Sequence, residues 1–255
     1  MRVSYVGNFS VPYSTESHIA KAWENLGHSV QRIPEQGLHW PDLPAIVDGD
    51  LFLWTRTAGF DPPDKDRVQP EALSAIDVPK VGYHLDRWWG LDREWWIGDS
   101  AFFTHLDLLC TADGGHDTEW ERRGIRHEWF PPAILSDEMQ PVEPHRQYTA
   151  DVAFVGNLTH YGHAEWAPYR QQLWGHLRVW YRGRFVVFPG TGRPQIRGRE
   201  LASLYATTKV NIGDSCLVGE PERYWSDRIP ETLGRGGFLI HPEVFTPLVR
   251  EHLEN

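Results

Sequence analysis

Short apolar runs alternate with stretches of helical spacing along this 255-residue chain, and that alternation predicts parallel strands joined by crossover helices. Val3 to Val6 is a first strand, followed by a polar loop from Gly7 to Tyr13. Ser14 or Thr15 then caps a helix whose Ile19, Ala22, Trp23 and Leu26 repeat at helical spacing until Gly27 ends it. Further strands are predicted at Ser29 to Ile33, Leu51 to Trp54, Lys80 to His84, Leu108 to Thr111 and, shorter, Arg126 to Phe130. Four prolines between Pro131 and Ala150 mark a linker. Beyond it, Asp151 to Asn157 repeats the pattern of Arg2 to Asn8, an apolar strand ending in Val-Gly-Asn. Strands at Phe185 to Phe188, Lys209 to Ile212 and Phe238 to Ile240 follow, with helices over Pro168 to Leu177 and Glu200 to Tyr205. The expected fold class is α/β: two Rossmann-like, doubly wound domains facing across a cleft, over residues 1–135 and 151–255, with 136–150 between them.

Composition narrows this picture. A hydrophobic fraction of 40% is ordinary for a globular protein. No apolar run approaches a membrane span, and the first residues read as a strand rather than a signal peptide, so a cytoplasmic protein without a membrane partner is expected. Cys110 and Cys216 lack metal or redox spacing and are expected as buried free thiols. The thirteen histidines show neither HxxxH nor HExxH spacing, and Asp48-Gly-Asp50 precedes a strand where a turn is needed, so no metal is expected.

The formal charge of −10 is unevenly spread. From His176 to Arg199 there are six arginines and no acid, leaving −16 for the remainder. Such a run can neutralise a diphosphate, contact the phosphates of a nucleic acid, or form an ordinary solvated face. Its position beside Trp180, Tyr181 and Phe185 makes double-stranded DNA the partner we weigh first.

In doubly wound sheets ligands lie at the carboxyl ends of strands. That rule selects Gly7 and Asn8 after the first strand, Gly156 and Asn157 after the strand that echoes it, Ser215 in the loop after Ile212, and the turn from Ser226 to Glu231. Ser226 or Asp227 can cap a helix, Arg228 sits where a phosphate can be held, and Glu231, one turn on, can accept hydrogen bonds from ribose hydroxyls. Gly234, Gly236 and Gly237 then end the helix and admit Phe238 to Ile240 to a sheet. Each residue also has a plain structural reading, as a cap or a solvated helix position.

The segment from Tyr224 to His241, with Leu201 to Gly213 before it, resembles the donor-binding motif of GT-B glycosyltransferases, of the group 1 type that includes spore-maturation-protein-like enzymes. The resemblance covers about the last 100 residues, whereas the N-terminal part matches only in style; relatives usually continue well past the position where this sequence stops, at Asn255. A short helix around Phe245 to Leu253 is the expected closure of the second domain. The resemblance implies a nucleotide-diphosphate-sugar co-substrate held by the second domain and an acceptor approached from the first, without other cofactor. The donor set then comprises Gly7, Asn8, Gly156, Asn157, Arg182, Ser215, Ser226, Asp227, Arg228 and Glu231.

For the acceptor side, Asp86 directly follows a strand and is the first candidate base, with His18 the second; Asp86 can equally pair with Arg87 or cap a helix. Arg87, Trp88 and Trp89 form a candidate platform, although core packing is the commoner use of such tryptophans. Arg184, Arg193 and Arg197 are the candidate phosphate contacts. The expected activity is metal-independent transfer of a sugar to an acceptor hydroxyl, with a hydroxymethylated DNA base preferred. A glycan, protein or small-molecule acceptor, a nucleotide-sugar epimerase or hydrolase, and a non-catalytic binding module are the alternatives.

Overall fold

A computed structural model describes residues 1–56, 70–91, 93–140, 142–156, 167–190, 193–214 and 223–242. The expectations placed on Asn157, Ser215, Cys216 and the Phe245 to Leu253 helix lie outside them. The chain divides into two compact units, Met1–Pro131 and Pro132–Asn255.

In the first unit β1 (Arg2–Gly7) has five consecutive buried residues after Arg2, the pattern of a strand covered on both faces. Ser14 is the N-cap of α1 (Thr15–Asn25), its hydroxyl accepting the Ser17 N–H at 3.1 Å. Gly27, at φ +84°, lets the chain reverse into β2 (Ser29–Pro34). α2 (Leu43–Ile46), β3 (Leu51–Thr55), α3 (Pro70–Ser74), β4 (Lys80–His84), α4 (Trp96–Asp99), α5 (Ala101–Thr104), β5 (Leu108–Thr111), α6 (Asp117–Arg122) and β6 (His127–Trp129) follow. The strands form a parallel sheet in the order β2-β1-β3-β4-β5-β6. Alternate residues feed two cores: Val3, Tyr5, Leu53 and Tyr83 on one face, and Val6, Phe52, Trp54 and Leu109 on the other. The second of these also buries Trp40, Trp88, Trp89, Trp96 and Trp120.

The second unit repeats the plan on a smaller scale. β7 (Val152–Val155), α7 (Ala167–Trp180), β8 (Phe185–Phe188), α8 (Gly198–Thr207), β9 (Val210–Ile212), α9 (Arg228–Gly234) and β10 (Leu239–Ile240) give a parallel sheet ordered β10-β9-β7-β8. Phe154 and Val187 pack with Trp174 of α7 on one face, while Ala153 and Phe188 pack with Leu201, Leu204 and Tyr205 of α8 on the other. Both units are therefore Rossmann-like α/β layers. Residues 136–150, expected as a linker, carry two 3-10 turns, Ser136–Glu138 and Arg146–Tyr148, and Tyr148 enters the α8-side core. Burying a side chain of that size stabilises by roughly 1.5–3 kcal/mol, so this stretch is integral to the second unit.

Two sequence positions resolve into local structure. Asp48 pairs with the Arg2 guanidinium at 2.8 Å and Asp50 accepts the Arg2 N–H at 2.7 Å, so the Asp-Gly-Asp element is a turn bound to the start of β1. Cys110 lies half-buried on β5 as a free thiol, and burial pushes its pKa up to about 11.

Candidate functional site

Strand order reverses between β7 and β9, which makes their carboxyl ends the switch point of the second sheet. Arg228, the first residue of α9, spans it. Its Nε donates to the Val155 carbonyl at 2.9 Å, its Nη1 donates to the Asp214 carbonyl at 3.1 Å, and the same nitrogen lies 3.3 Å from Asp214 Oδ1. Arg170 from α7 meets both oxygens of that carboxylate, at 2.7 and 2.9 Å. The two guanidinium carbons lie 5.4 and 5.6 Å from the centroid of the Phe154 ring. Two cations and one carboxylate thus converge where the strands end. Ser226 belongs to the same knot, its hydroxyl donating to the Asp214 carbonyl at 3.1 Å.

The expected cap of α9 is not formed. Asp227 occupies the N-cap position with helical dihedrals, φ −51° and ψ −23°, and no side-chain cap bond. A capping carboxylate needs extended backbone at that residue to turn back on the helix. Ser226 spends its hydroxyl on Asp214 instead, and Asp227 is exposed.

Glu231 lies one turn into α9 with 27% of its side chain exposed. Desolvation raises its carboxyl to about 7, Asp227 pushes the same way, and Arg235, Arg197 and Arg228 oppose. Arg235 is buried behind it, donating to the Glu231 carbonyl at 3.1 Å and to Glu138 Oε2 at 3.0 Å. Tyr205 sits beneath, its hydroxyl held neutral by burial.

The arginine run divides between the two ends of edge strand β8. Arg193 and Arg197 follow it, at the carboxyl end: Arg193 lies over the Phe188 ring at 5.3 Å, and Arg197 is near enough to Glu231 to oppose its protonation. Arg182 and Arg184 precede it, a strand length of roughly 13 Å away. Arg184 pairs with Asp151 at the amino end of β7, so Arg182 and Arg184 lie opposite the end that holds Arg228 and Glu231.

In the first unit, Gly7 and Asn8 end β1. A Cβ on Gly7 would come within 2.6 Å of Glu16 Cγ, so the glycine admits the close approach of α1. Asn8 Oδ1 accepts from the Ser10 hydroxyl at 2.6 Å and shapes the following loop. His18 lies on α1, edge-on to Tyr13.

Asp86 follows β4 as expected, and its loop is pinned at three points. His84 Nδ1 accepts the Asp86 N–H at 3.0 Å, so that nitrogen carries no proton. Asp113 Oδ2 accepts the N–H groups of Trp88 and Trp89 at 2.7 and 2.8 Å. Arg93 donates to the Arg87 carbonyl, stacks 4.8 Å above the Trp88 ring, and reaches Asp86 Oδ2 at 3.4 Å. The Asp86 carboxylate is 40% exposed. Arg87, Trp88 and Trp89 are buried, so neither indole offers an open face to a ligand; Trp95, a few residues on, is exposed and stacked on Trp96. Asp113 and His84 were not singled out by sequence, although Asp113 stands two residues beyond β5, where the strand-end rule applied to Asp86 would have found it.

Among the described residues no group of three His, Cys, Asp or Glu side chains could hold a metal ion, and no helix is long and apolar enough to cross a membrane. No protein-family model matches the sequence, and no curated protein matches it. The chemistry of the site therefore rests on its own geometry: a switch point carrying two arginines, with a partly buried carboxyl one helical turn away.

Proposed function

We propose that the chain is a glycosyltransferase that takes a sugar from a nucleotide diphosphate, with the donor held at the carboxyl ends of β7 and β9. One observation carries this reading: Arg228 is fixed to Val155 and Asp214 at the switch point, with Glu231 following on the same helix. A guanidinium held by two backbone carbonyls is oriented before ligand arrives, and Arg170 adds a second cation beside it. Glu231 accepts the ribose hydroxyls, and the diphosphate leaves against Arg228.

The finer reading is a GT-B enzyme in which the first unit presents the acceptor. The acceptor oxygen attacks the anomeric carbon, the bond from that carbon to the diphosphate oxygen breaks with its electron pair, and Asp86 takes the hydroxyl proton. A hydroxymethylated base in DNA is the acceptor this reading prefers. The test is to incubate the protein with a panel of nucleotide-diphosphate sugars, with and without DNA containing hydroxymethylated pyrimidines, and to follow nucleotide release and label on the DNA. Transfer to DNA supports the whole reading, and release without acceptor makes the protein a hydrolase. Absence of calorimetric binding to every sugar nucleotide and nucleoside diphosphate would remove the donor site.

A further inference from the structure

The amino end of the second sheet, opposite the candidate donor site, carries a cationic and aromatic face that includes Arg182 and Arg184, expected from sequence at the donor and the acceptor but placed by the fold away from Arg228 and Glu231. Trp180 closes α7 with 68% of its surface exposed, and His176, one turn back, stacks on it at 5.4 Å between centroids and 25° between planes. The indole is thereby held from one side and open on the other. Arg182 lies exposed in the tight turn that follows, where Gly183 at φ +81° brings the chain into β8. Arg178 is exposed on the last turn of α7, its guanidinium over the Trp174 ring.

Two more cations come from the residues just before β8 and β9, the strands on either side of β7. Arg184 and Lys209 meet opposite oxygens of Asp151, at 2.5 and 2.7 Å, yet their side chains stay 66% and 74% exposed. Contact with both cations, the Lys209 hydrogen bond first, holds the Asp151 carboxyl below its usual range. Two of these cations share the one carboxylate of Asp151, and no acid occurs in the sequence between Ala167 and Arg199, on a chain of net charge −10.

We propose that this face docks a single-stranded segment of nucleic acid, with phosphates on Arg178, Arg182, Arg184 and Lys209 and an unpaired base on Trp180. Clustered cations on an otherwise acidic protein select a polyanion by charge. The exposed indole selects among polyanions, because a base offers its face to a side chain only when it is not stacked in a duplex. A lipid surface fits less well: Gln171, Gln172, Gly175 and His176 interrupt the solvent side of α7, so no continuous apolar strip is available to insert. The proposal stands independently of the nucleotide-sugar reading.

The experiment is fluorescence anisotropy of the full chain with a labelled 20-nucleotide single strand, the matching duplex, and sedimentation with phosphatidylserine-containing vesicles. The single strand is expected to bind at least fivefold more tightly than the duplex. Its affinity should fall with salt with a log–log slope of roughly −2 to −3, since about 0.7 counterion is released per phosphate contact. R182E should weaken binding at least tenfold. W180A should weaken it at least fivefold, base stacking on an aromatic ring being worth ~1–3 kcal/mol. Both sites are exposed, and an unchanged circular dichroism spectrum checks that each variant is folded. No binding at low salt, equal binding of the duplex, wild-type affinity in both variants, or vesicle binding lost in the same variants would each overturn the proposal.

Discussion

A side chain on Gly156 would collide with Arg228: a Cβ built there stands 2.6 Å from Nη2 and 3.3 Å from Cζ of the guanidinium. The glycine that ends β7 is thus the space through which Arg228 reaches the Val155 carbonyl. The Val-Gly-Asn pattern that closes both β1 and β7 serves two ends, since Gly7 makes room for α1 and Gly156 makes room for an arginine from 72 residues further on.

From that contact follows the first prediction. G156A should displace the guanidinium and weaken binding of nucleoside diphosphates by about as much as R228A. A charge-assisted hydrogen bond is worth ~1.5–3 kcal/mol, or roughly 10–100-fold in affinity. R228K keeps the charge but cannot bridge both carbonyls, so it should recover little of the loss. Isothermal titration with a nucleoside diphosphate panel checks this; wild-type affinity in G156A would separate the glycine from the site.

Glu231 makes stability depend on pH in an unusual direction. Its carboxyl titrates near 7 when folded, raised by desolvation first, and near 4.5 when free. Between those values the folded chain holds a proton that the unfolded chain has lost. This contribution to stability is therefore complete below pH 4.5 and is lost as pH rises through 7. E231Q should remove a fall in stability on the order of 2–3 kcal/mol between pH 5 and 8, seen as a flatter Tm profile. If the variant and the wild type keep parallel Tm profiles over that range, Glu231 is not the titrating group. Ionised Glu231 is also the form that accepts ribose hydroxyls, so nucleoside affinity should increase across the same range in the wild type and stay level in E231Q.

Asp113 supports the Asp86 loop from the core, with no side-chain exposure. One oxygen, Oδ2, accepts both the Trp88 and Trp89 N–H groups, while Oδ1 faces His116 Nε2 at 3.9 Å. Asparagine can keep its carbonyl oxygen on the two N–H groups and turn its amide toward His116. D113N should therefore cost about 1 kcal/mol, whereas D113A leaves two buried donors without an acceptor and should cost about 2–4 kcal/mol. Urea unfolding distinguishes these; equal losses in both variants would mean that the charge, not the oxygen, holds the loop.

The strands were legible because each is a short apolar run bounded by glycine, proline or polar residues: Lys80 to His84, Leu108 to Thr111 and Phe185 to Phe188 are observed at the boundaries their sequence predicts. Ser14 was legible for the same local reason. The use of Trp88 and Trp89 was not, because their N–H groups are claimed by Asp113, a residue more than twenty positions away that no local pattern connects to them. Asp227 failed as a cap for a related reason: Ser226 and Arg228 both bond to the Asp214 carbonyl. The six arginines read as one stripe in sequence, but β8 carries them to opposite ends of a sheet. Runs reveal elements; they do not reveal which end of an element a loop serves.

Asp86 and Arg93 provide the last prediction. Their contact is 3.4 Å long and partly exposed, so it adds little to stability, at most about 1 kcal/mol. It does orient the carboxylate, because Arg93 is itself fixed to the Arg87 carbonyl and to the face of Trp88. If Asp86 takes the acceptor proton, D86N should leave Tm within a few degrees of wild type and donor affinity unchanged while lowering kcat about 10²–10⁴-fold, the usual contribution of a general base. R93M should lower kcat less and also lower Tm, since it releases the Arg87 carbonyl. Transfer assays at saturating sugar nucleotide, with melting curves on the same samples, separate the two effects. Undiminished turnover in D86N would assign the proton to another group and leave Asp86 a structural role, with Arg93 among its partners.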